Sequence, residues 1–251
     1  MIDLSGRAAL VTGGSRGIGR ATSLLLARAG ADVAITYRLE QRAAESVVAE
    51  IGRLGRGSLA LQGDLSRHKD AGAAVRSAVE ALGRLDILVN NHGIWKDGPI
   101  ETMTEDEWDE TLDVNLKGVF LCTQAAVPVM KRQRYGRIIN IASTAGQRGE
   151  AMHSHYAASK GGIISFTKSL GPELCRHGIL VNCVAPGWVD TDMSAAALAG
   201  EEREKILGTI PLGRPGTPEE IAGGVLFFAS ELAGYCCGEV LNVNGGSVLC
   251  G

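Results

Sequence analysis

Short apolar runs alternate with longer amphipathic stretches along the whole of this 251-residue chain. The apolar runs predict β-strands, and the amphipathic stretches between them predict α-helices. The predicted strands are 8–12, 32–36, 58–62, 87–90, 137–142, 180–184 and 240–243, and the predicted helices are 18–29, 41–54, 69–82, 105–132, 156–176 and 218–229. This alternation is typical of βαβ units, whose strands lie parallel.

The strands are apolar at nearly every position, as expected for strands that helices cover on both faces. We therefore predict an α/β fold with a Rossmann-like, doubly wound, seven-stranded parallel sheet. No linker or change in composition divides the chain, so this prediction places residues 1–251 in a single domain. The segment 188–210 is either a mobile flap on the substrate side or a plain surface helix capped by Asp192 or Ser194.

Charge and composition argue against several classes of protein. The 25 Lys and Arg residues are scattered among 28 Asp and Glu residues, without the basic stripe that nucleic-acid binding requires. The first residues do not resemble a secretion signal, and no apolar window approaches the length of about 18 residues that spans a membrane. The six cysteines, Cys250 among them, lack C-x-x-C spacing, and no residue cluster has the spacing of a metal site. We expect a soluble, cytoplasmic protein without a metal, nucleic-acid or membrane partner.

A glycine-rich turn follows the first predicted strand and leads directly into a helix. Its glycines at positions 13, 17 and 19 let the backbone approach a pyrophosphate, and the helix N-terminus offers free N–H groups to an anion. Their spacing, G-x-x-x-G-x-G, matches the G-x-G-x-x-G dinucleotide fingerprint only approximately. In this strand-turn-helix context we interpret it as a dinucleotide site; the alternative is a tight structural turn.

The end of the second strand bears on which dinucleotide binds. An acidic residue there would accept hydrogen bonds from a ribose 2'-hydroxyl, but Asp32 lies at the opposite end of the strand. Arg38, at the correct end, and Arg16, in the glycine turn, have the charge and geometry to bind a 2'-phosphate. We predict NADP(H) over NAD(H), although Glu40 lies close by and both arginines could simply be solvated.

Tyr156 and Lys160 are four residues apart at the start of a predicted helix, and therefore share one face. A neighbouring ammonium stabilises a phenolate and lowers the tyrosine pKa, which suits acid–base chemistry. Such pairs are common on helices, so the interpretation depends on other residues.

Further polar residues are predicted to lie at the carboxyl edge of the sheet, near the start of this helix. Ser143 follows the fifth strand, Asn91 and Gly93 follow the fourth, and Asn115 is a polar residue in an apolar stretch of the next helix. Ligands of doubly wound sheets bind outside this carboxyl edge. The set therefore predicts an active site there.

Together these motifs resemble the short-chain dehydrogenase/reductase family over essentially the whole chain. The turn TGGSRGIG is similar to the family's cofactor turn, NNHG to its N-N-A-G motif, and Asn115, Ser143, Tyr156 and Lys160 to its catalytic tetrad. The resemblance, with the arginine argument above, predicts cofactor contacts from Gly13, Ser15, Arg16, Gly17, Ile18, Gly19, Arg38, Asp64, Leu65, Asn91, Gly93, Tyr156, Lys160, Pro186, Gly187, Val189 and Thr191.

The resemblance implies hydride transfer between a nicotinamide and a carbonyl or secondary alcohol. In that scheme Tyr156 donates the proton during reduction, and Ser143 orients the carbonyl. Lys160 binds the nicotinamide ribose and lowers the tyrosine pKa, while Asn115 holds a water that links the lysine to solvent. The family is usually homotetrameric, and we expect the same here.

Within the family, the likeness is greatest to 3-oxoacyl-[acyl-carrier-protein] reductases, so a 3-oxoacyl thioester, possibly carried on acyl carrier protein, is the expected substrate. Two departures touch the predicted substrate side: His92 replaces the alanine of N-N-A-G, and His153 and His155 precede the tyrosine. Each histidine is either a functional group or a neutral structural side chain. Trp95 either walls the pocket or packs within a loop.

Two other functions remain open from the sequence. One is a dehydrogenase of the same mechanism that acts on a sugar, a steroid or a small secondary alcohol. The other is a nucleotide-sensing protein that keeps the fold and has lost catalysis.

Overall fold

The computed structural model describes residues 2–249, so Cys250 lies outside the described residues. Seven parallel strands form one sheet in the order β3-β2-β1-β4-β5-β6-β7, which confirms the predicted doubly wound sheet. The strands are β1 Ala8–Val11, β2 Asp32–Tyr37, β3 Ser58–Gln62, β4 Ile87–Asn90, β5 Gly136–Ile141, β6 Ile179–Pro186 and β7 Val240–Val243.

Ten α-helices connect these strands within the described residues. They are α1 Gly17–Arg28, α2 Gln41–Arg53, α3 His68–Leu82, α4 Glu105–Leu112, α5 Gly118–Gln133, α6 Ala145–Arg148, α7 Ser154–Leu174, α8 Ala195–Ala199, α9 Arg203–Gly208 and α10 Pro218–Ala229. None of the helices between residues 2 and 249 is both long and apolar enough to cross a membrane.

The helices cover the sheet on both faces. Helices α1, α2 and α10 pack on one face through apolar side chains such as Leu26, Ile51 and Phe228. Helices α3 and α5 and the end of α7 pack on the other face, where Met130 and Leu174 are buried. The edge strands β3 and β7 are only half-buried, so full burial on both faces holds for the central strands and not for the edges.

The predicted helix 105–132 is interrupted, and the prediction of one continuous helix was wrong. Residues Asp113–Lys117 form a π-helical turn between α4 and α5. The buried carboxamide of Asn115 explains the extra residue, because it accepts a hydrogen bond from the Ile94 N–H (2.8 Å) and donates one to the Ile94 carbonyl (3.0 Å). Turns of this kind occur often at functional sites.

A cluster of charged residues lies at the amino edge of the sheet, opposite the predicted active site. The carboxylate of Asp86 is fully buried and accepts hydrogen bonds from the Ala8 N–H (2.9 Å) and from Arg84 (2.6 and 2.7 Å). Arg7 lies 3.4 Å from the same carboxylate. Asp86 thus ties β1 to the residues that precede β4.

The segment 188–210 contains the short helices α8 and α9. An isolated parallel bridge between Val189 and Gly216 fixes its beginning. That it acts as a mobile flap stays a prediction.

Candidate active site

A cleft of about 420 Å³ opens at the carboxyl edge of the sheet. It lies where β1 and β4 are neighbours, the point at which the strand order reverses and where doubly wound sheets bind their ligands. Most predicted site residues line it: Gly13, Ser15, Arg16, Gly17, Ile18, Arg38, Asp64, Leu65, Asn91, Gly93, Ser143, Tyr156, Lys160, Pro186, Gly187, Val189 and Thr191. Gly19 and Asn115 lie beneath its surface.

The glycine turn needs glycine for two different reasons. Gly13 and Gly17 have φ angles of 62° and 52°, in the left-handed region that side chains rarely adopt. A Cβ at Gly19 would lie 2.2 Å from the carbonyl oxygen of Gly13, so Gly19 allows α1 to pack directly beneath the turn. A Cβ at Gly17 would lie 3.4 Å from Cγ2 of Thr191, which faces it across the cleft.

The first turn of α1 fits a pyrophosphate. Its N-cap residue, Arg16, makes no side-chain cap, and its first turn carries no acidic residue, so no side chain of the helix itself competes with an anion for the first N–H groups. The observed backbone therefore fits the phosphate groups of a dinucleotide.

Two arginines border the end of the cleft next to β2. The guanidinium of Arg38 is exposed, and together with Arg67 it contributes to lowering the pKa of Asp64, although the hydrogen bond from Ser66 is the main cause. Arg16 lies 3.9 Å from the exposed carboxylate of Asp192. Both cations are available to an anionic ligand, because exposed ion pairs of this kind are weak.

His92 lines the cleft, but both of its ring nitrogens are directed into the protein, which favours the structural one of the two interpretations given above. Its Nδ1 lies 2.7 Å from the hydroxyl of the buried Thr12, which also accepts hydrogen bonds from the N–H groups of Asn91 and His92. Its Nε2 points to α5, where a Cβ at Gly118 would lie 2.4 Å away. Burial, aided by the charge of Lys160, lowers the pKa of His92 to about 4, so the ring is neutral at neutral pH.

Tyr156, Ser143 and Lys160 lie together at the cleft floor. The ammonium of Lys160 donates a hydrogen bond to the Ile141 carbonyl (2.9 Å) and lies 5.7 Å from the centre of the Tyr156 ring. Burial raises the pKa of Tyr156 to about 12; the hydrogen bond with Ser143 lowers it and the Glu150 carboxylate raises it. Burial also lowers the pKa of Lys160 to about 8.

The expected lowering of the Tyr156 pKa by Lys160 is therefore not observed. The four-residue spacing correctly places the two side chains on one face, but burial of the phenol dominates, and the lysine ammonium is directed to a backbone carbonyl. The tyrosine is a protonated phenol at neutral pH, the form that a proton donor requires.

Asn115 and Lys160 both lie next to Gly93. A Cβ added at Gly93 would be 3.1 Å from Oδ1 of Asn115 and 3.6 Å from Nζ of Lys160. Nδ2 of Asn115 also donates to the hydroxyl of Ser159, at 3.1 Å. The π-helical turn thus ties the loop after β4 to α7, next to the lysine.

The substrate end of the cleft has an aromatic wall. The Trp95 ring stacks on His153 at 4.5 Å and meets the edge of Trp188 at 5.8 Å. Glu150, which no sequence motif marked, accepts a hydrogen bond from the indole N–H of Trp95 (3.2 Å). His155 is buried against Gly98 and lies outside the cleft lining, so its role is structural.

Comparisons with known proteins agree with this geometry. A family model described as enoyl-(acyl carrier protein) reductase matches residues 13–247. The chain is 46% identical over 240 residues to the 3-oxoacyl-[acyl-carrier-protein] reductase FabG of Staphylococcus aureus. The aligned region covers 96% of this chain and 97% of the relative. The chain belongs to the short-chain dehydrogenase/reductase family. It is thus an oxidoreductase of this family, and membership implies a nicotinamide cofactor.

Two further relatives span nearly the whole chain. The 3-oxoacyl-[acyl-carrier-protein] reductase of Synechocystis is 43% identical over 250 residues, 99% of this chain and 100% of that one. A Sinorhizobium meliloti protein described as a short-chain alcohol dehydrogenase superposes with a TM-score of 0.94 at 39% identity, covering 98% of this chain and 97% of that one. The family resemblance inferred from the motifs is confirmed.

Proposed function

We propose that the protein reduces 3-oxoacyl thioesters with NADPH as the hydride donor. The observation that carries this proposal is the arrangement of Ser143, Tyr156 and Lys160 in one cleft, in a chain 46% identical to a 3-oxoacyl-[acyl-carrier-protein] reductase. The family model's description names reduction of a C=C bond instead. Two hydroxyl groups at the cleft floor suit a carbonyl oxygen, which gains a proton when it becomes an alcohol.

In this proposal each polar side chain has a defined task. The hydride would come from a nicotinamide held in the cleft. The hydroxyls of Ser143 and Tyr156 hold the carbonyl oxygen, and the phenol gives its proton to that oxygen as the alcohol forms. The Lys160 ammonium stabilises the phenolate left behind and binds the nicotinamide ribose. Asn115 keeps the lysine connected to solvent through water.

The glycine turn and the first turn of α1 would hold the pyrophosphate. Asp64 and Leu65 would contact the adenine, and Pro186, Gly187, Val189 and Thr191 would contact the nicotinamide end. Arg16 and Arg38 line the cleft and support the proposed preference for NADP(H), because a guanidinium can bind a 2'-phosphate.

The cofactor preference predicts the effect of one substitution. We expect Arg38→Ala to raise the KM for NADPH by about 10- to 100-fold, since hydrogen bonds to a charged group contribute about 1.5–3 kcal/mol, and to leave the KM for NADH near its wild-type value. Initial rates with both cofactors test this. Arg28→Ala, an exposed residue at the far end of α1, is the matched control. Equal losses with both cofactors would contradict a 2'-phosphate contact.

The pKa of Lys160 predicts a pH dependence. The ammonium is charged below about pH 8 and neutral above it, whereas the Tyr156 phenol stays protonated until about pH 12. We expect kcat/KM for reduction to be level at neutral pH and to fall as the pH rises through about 8, because the neutral amine no longer stabilises the phenolate. A profile that stays level until the phenol itself ionises would contradict this role of Lys160.

Initial rates of NADPH and NADH oxidation with acetoacetyl thioester test the proposed function, with crotonyl thioester as the C=C control. The proposal predicts that NADPH is oxidised with the acetoacetyl substrate and not with the crotonyl substrate. Turnover of the crotonyl substrate would instead favour the enoyl reaction. Activity with sugar, steroid or simple ketone substrates and none with thioesters would favour a dehydrogenase of another specificity. Tight NADPH binding without any turnover would favour a nucleotide sensor.

We also propose a homotetramer and an acyl-carrier-protein-borne substrate, in a cytoplasmic setting. The support for the substrate is the name of the relatives, and for the assembly the family resemblance. Light scattering on the purified protein tests the assembly.

A further inference from the structure

Trp95 lies close to the proposed reaction centre. It follows Gly93 by two residues, and Gly93 packs beside Lys160, where a Cβ would lie 3.6 Å from Nζ. The indole N–H of Trp95 donates a hydrogen bond to Glu150 (3.2 Å), and the carboxylate of Glu150 raises the pKa of Tyr156. Glu150 thus contacts the indole, lines the same cleft as Tyr156 and acts on the phenol through its charge.

Trp188 approaches Trp95 from the opposite border of the cleft. Trp95 belongs to the loop after β4, and Trp188 belongs to the segment after β6. Their rings meet edge to face, with centroids 5.8 Å apart and planes at 86°. Both side chains line the cleft that Tyr156 also lines, so their contact joins its two borders.

The contacts around Trp95 resist displacement of its ring. His153 stacks on the indole with planes only 3° apart, and its Nδ1 lies 3.0 Å from the Ala151 carbonyl. The Gly98 N–H donates to the Met152 carbonyl (2.7 Å) and so ties the loop that carries Trp95 to the residues before α7.

The opposite border is also fixed. The Gly216 N–H donates a hydrogen bond to the Trp188 carbonyl at 2.9 Å, and the Asp190 N–H donates to the Gly216 carbonyl at 2.9 Å. Neither border of the cleft can move away from the other without breaking backbone hydrogen bonds or an aromatic contact.

We propose that Trp95 is a specificity-determining residue that restricts the acyl chain beyond the reacting carbonyl, so that short 3-oxoacyl groups react faster than long ones. A longer chain must push the indole out of its stack with His153 and away from Glu150. A short chain leaves these contacts intact. The identity of the substrate in this inference rests on the proposed function; the size limit itself rests on the aromatic wall.

The test compares kcat/KM for 3-oxooctanoyl and acetoacetyl thioesters in the wild type, Trp95→Ala and Trp108→Ala. Trp108, on α4, is partly exposed and lies outside the cleft lining, so it is a matched control for loss of an indole. We expect Trp95→Ala to raise the long-to-short ratio at least about tenfold, the scale on which a hydrophobic pocket discriminates chain size. Trp108→Ala should leave the ratio at its wild-type value.

NADPH binding, measured by fluorescence titration, checks that each variant is folded, and Trp95→Leu replaces Trp95→Ala if the smaller side chain prevents folding. An unchanged ratio in a folded Trp95 variant would overturn the inference. If the wild type turns over no thioester, the proposed function fails. The size limit is then measured with methyl 3-oxooctanoate and methyl 3-oxobutanoate, whose ratio must rise in the same variant.

Discussion

Tyr156→Phe is expected to lower kcat/KM for 3-oxoacyl reduction by about 1,000-fold, within the range that a positioned proton donor contributes. The change removes only the phenol O–H and keeps the ring against its neighbours. NADPH binding should therefore stay close to that of the wild type, which fluorescence titration measures. The pKa of Tyr156, raised to about 12 by burial, keeps the wild-type phenol protonated at the pH of the assay.

The matched control is Tyr235→Phe, the same chemical change at a fully exposed position. It should leave kcat/KM unaltered. Near wild-type turnover in Tyr156→Phe would show that another group donates the proton. If Tyr156→Phe lost both NADPH binding and turnover, the phenol would act in cofactor binding. The catalytic role of the hydroxyls would then be tested with Ser143→Ala, which removes the second hydroxyl.

Asp86→Ala is expected to lower the free energy of unfolding by about 1–3 kcal/mol, the cost of leaving a buried hydrogen-bond donor without its acceptor. The fully buried carboxylate accepts hydrogen bonds from the Ala8 N–H and from Arg84, and Arg7 lies 3.4 Å away. Its loss leaves a buried N–H without an acceptor and a guanidinium without its counter-charge. Urea unfolding followed by circular dichroism measures the effect.

Glu204→Ala provides the comparison for that stability measurement. Glu204 pairs with Arg203 at 3.0 Å, but its side chain is 85% exposed, and exposed pairs contribute at most about 1 kcal/mol. Similar small effects from both substitutions would show that the Asp86 cluster does not hold the amino edge of the sheet together.

The sheet was predictable because its signal is local. Each buried strand is a short apolar run, and the helix between two parallel strands is an amphipathic stretch, so periodicity alone finds both. The predicted ends differ from the observed ones by one or two residues at several strands; β6, for example, spans Ile179–Pro186 where 180–184 was predicted. The convergence of Ser143, Tyr156 and Lys160 followed from the geometry of parallel strands and helix faces.

The features that sequence reasoning missed depend on contacts between distant segments. The π-helical turn exists because Asn115 bonds the backbone of Ile94, 21 residues earlier, and helix periodicity carries no sign of that bond. His92 follows a strand that ends at the active-site rim, yet its ring turns back to the Thr12 hydroxyl.

Electrostatics was the least predictable part of the site. The spacing of Tyr156 and Lys160 predicted a lowered tyrosine pKa, but burial, which only the folded chain reveals, acts on the phenol more strongly. Glu150 illustrates the same limit, since no motif marks it and its effect on Tyr156 arises from tertiary position alone.

The proposed reaction is the reduction of the 3-oxo group of an acyl thioester with NADPH. The most direct measurement follows NADPH absorbance and the formation of 3-hydroxybutanoyl thioester, by mass spectrometry, in one reaction started with acetoacetyl thioester. We expect the product to appear in an amount equal to the NADPH consumed, and Tyr156→Phe to suppress both together. NADPH consumption without this product, or no consumption by protein shown to bind NADPH, would contradict the proposed reaction.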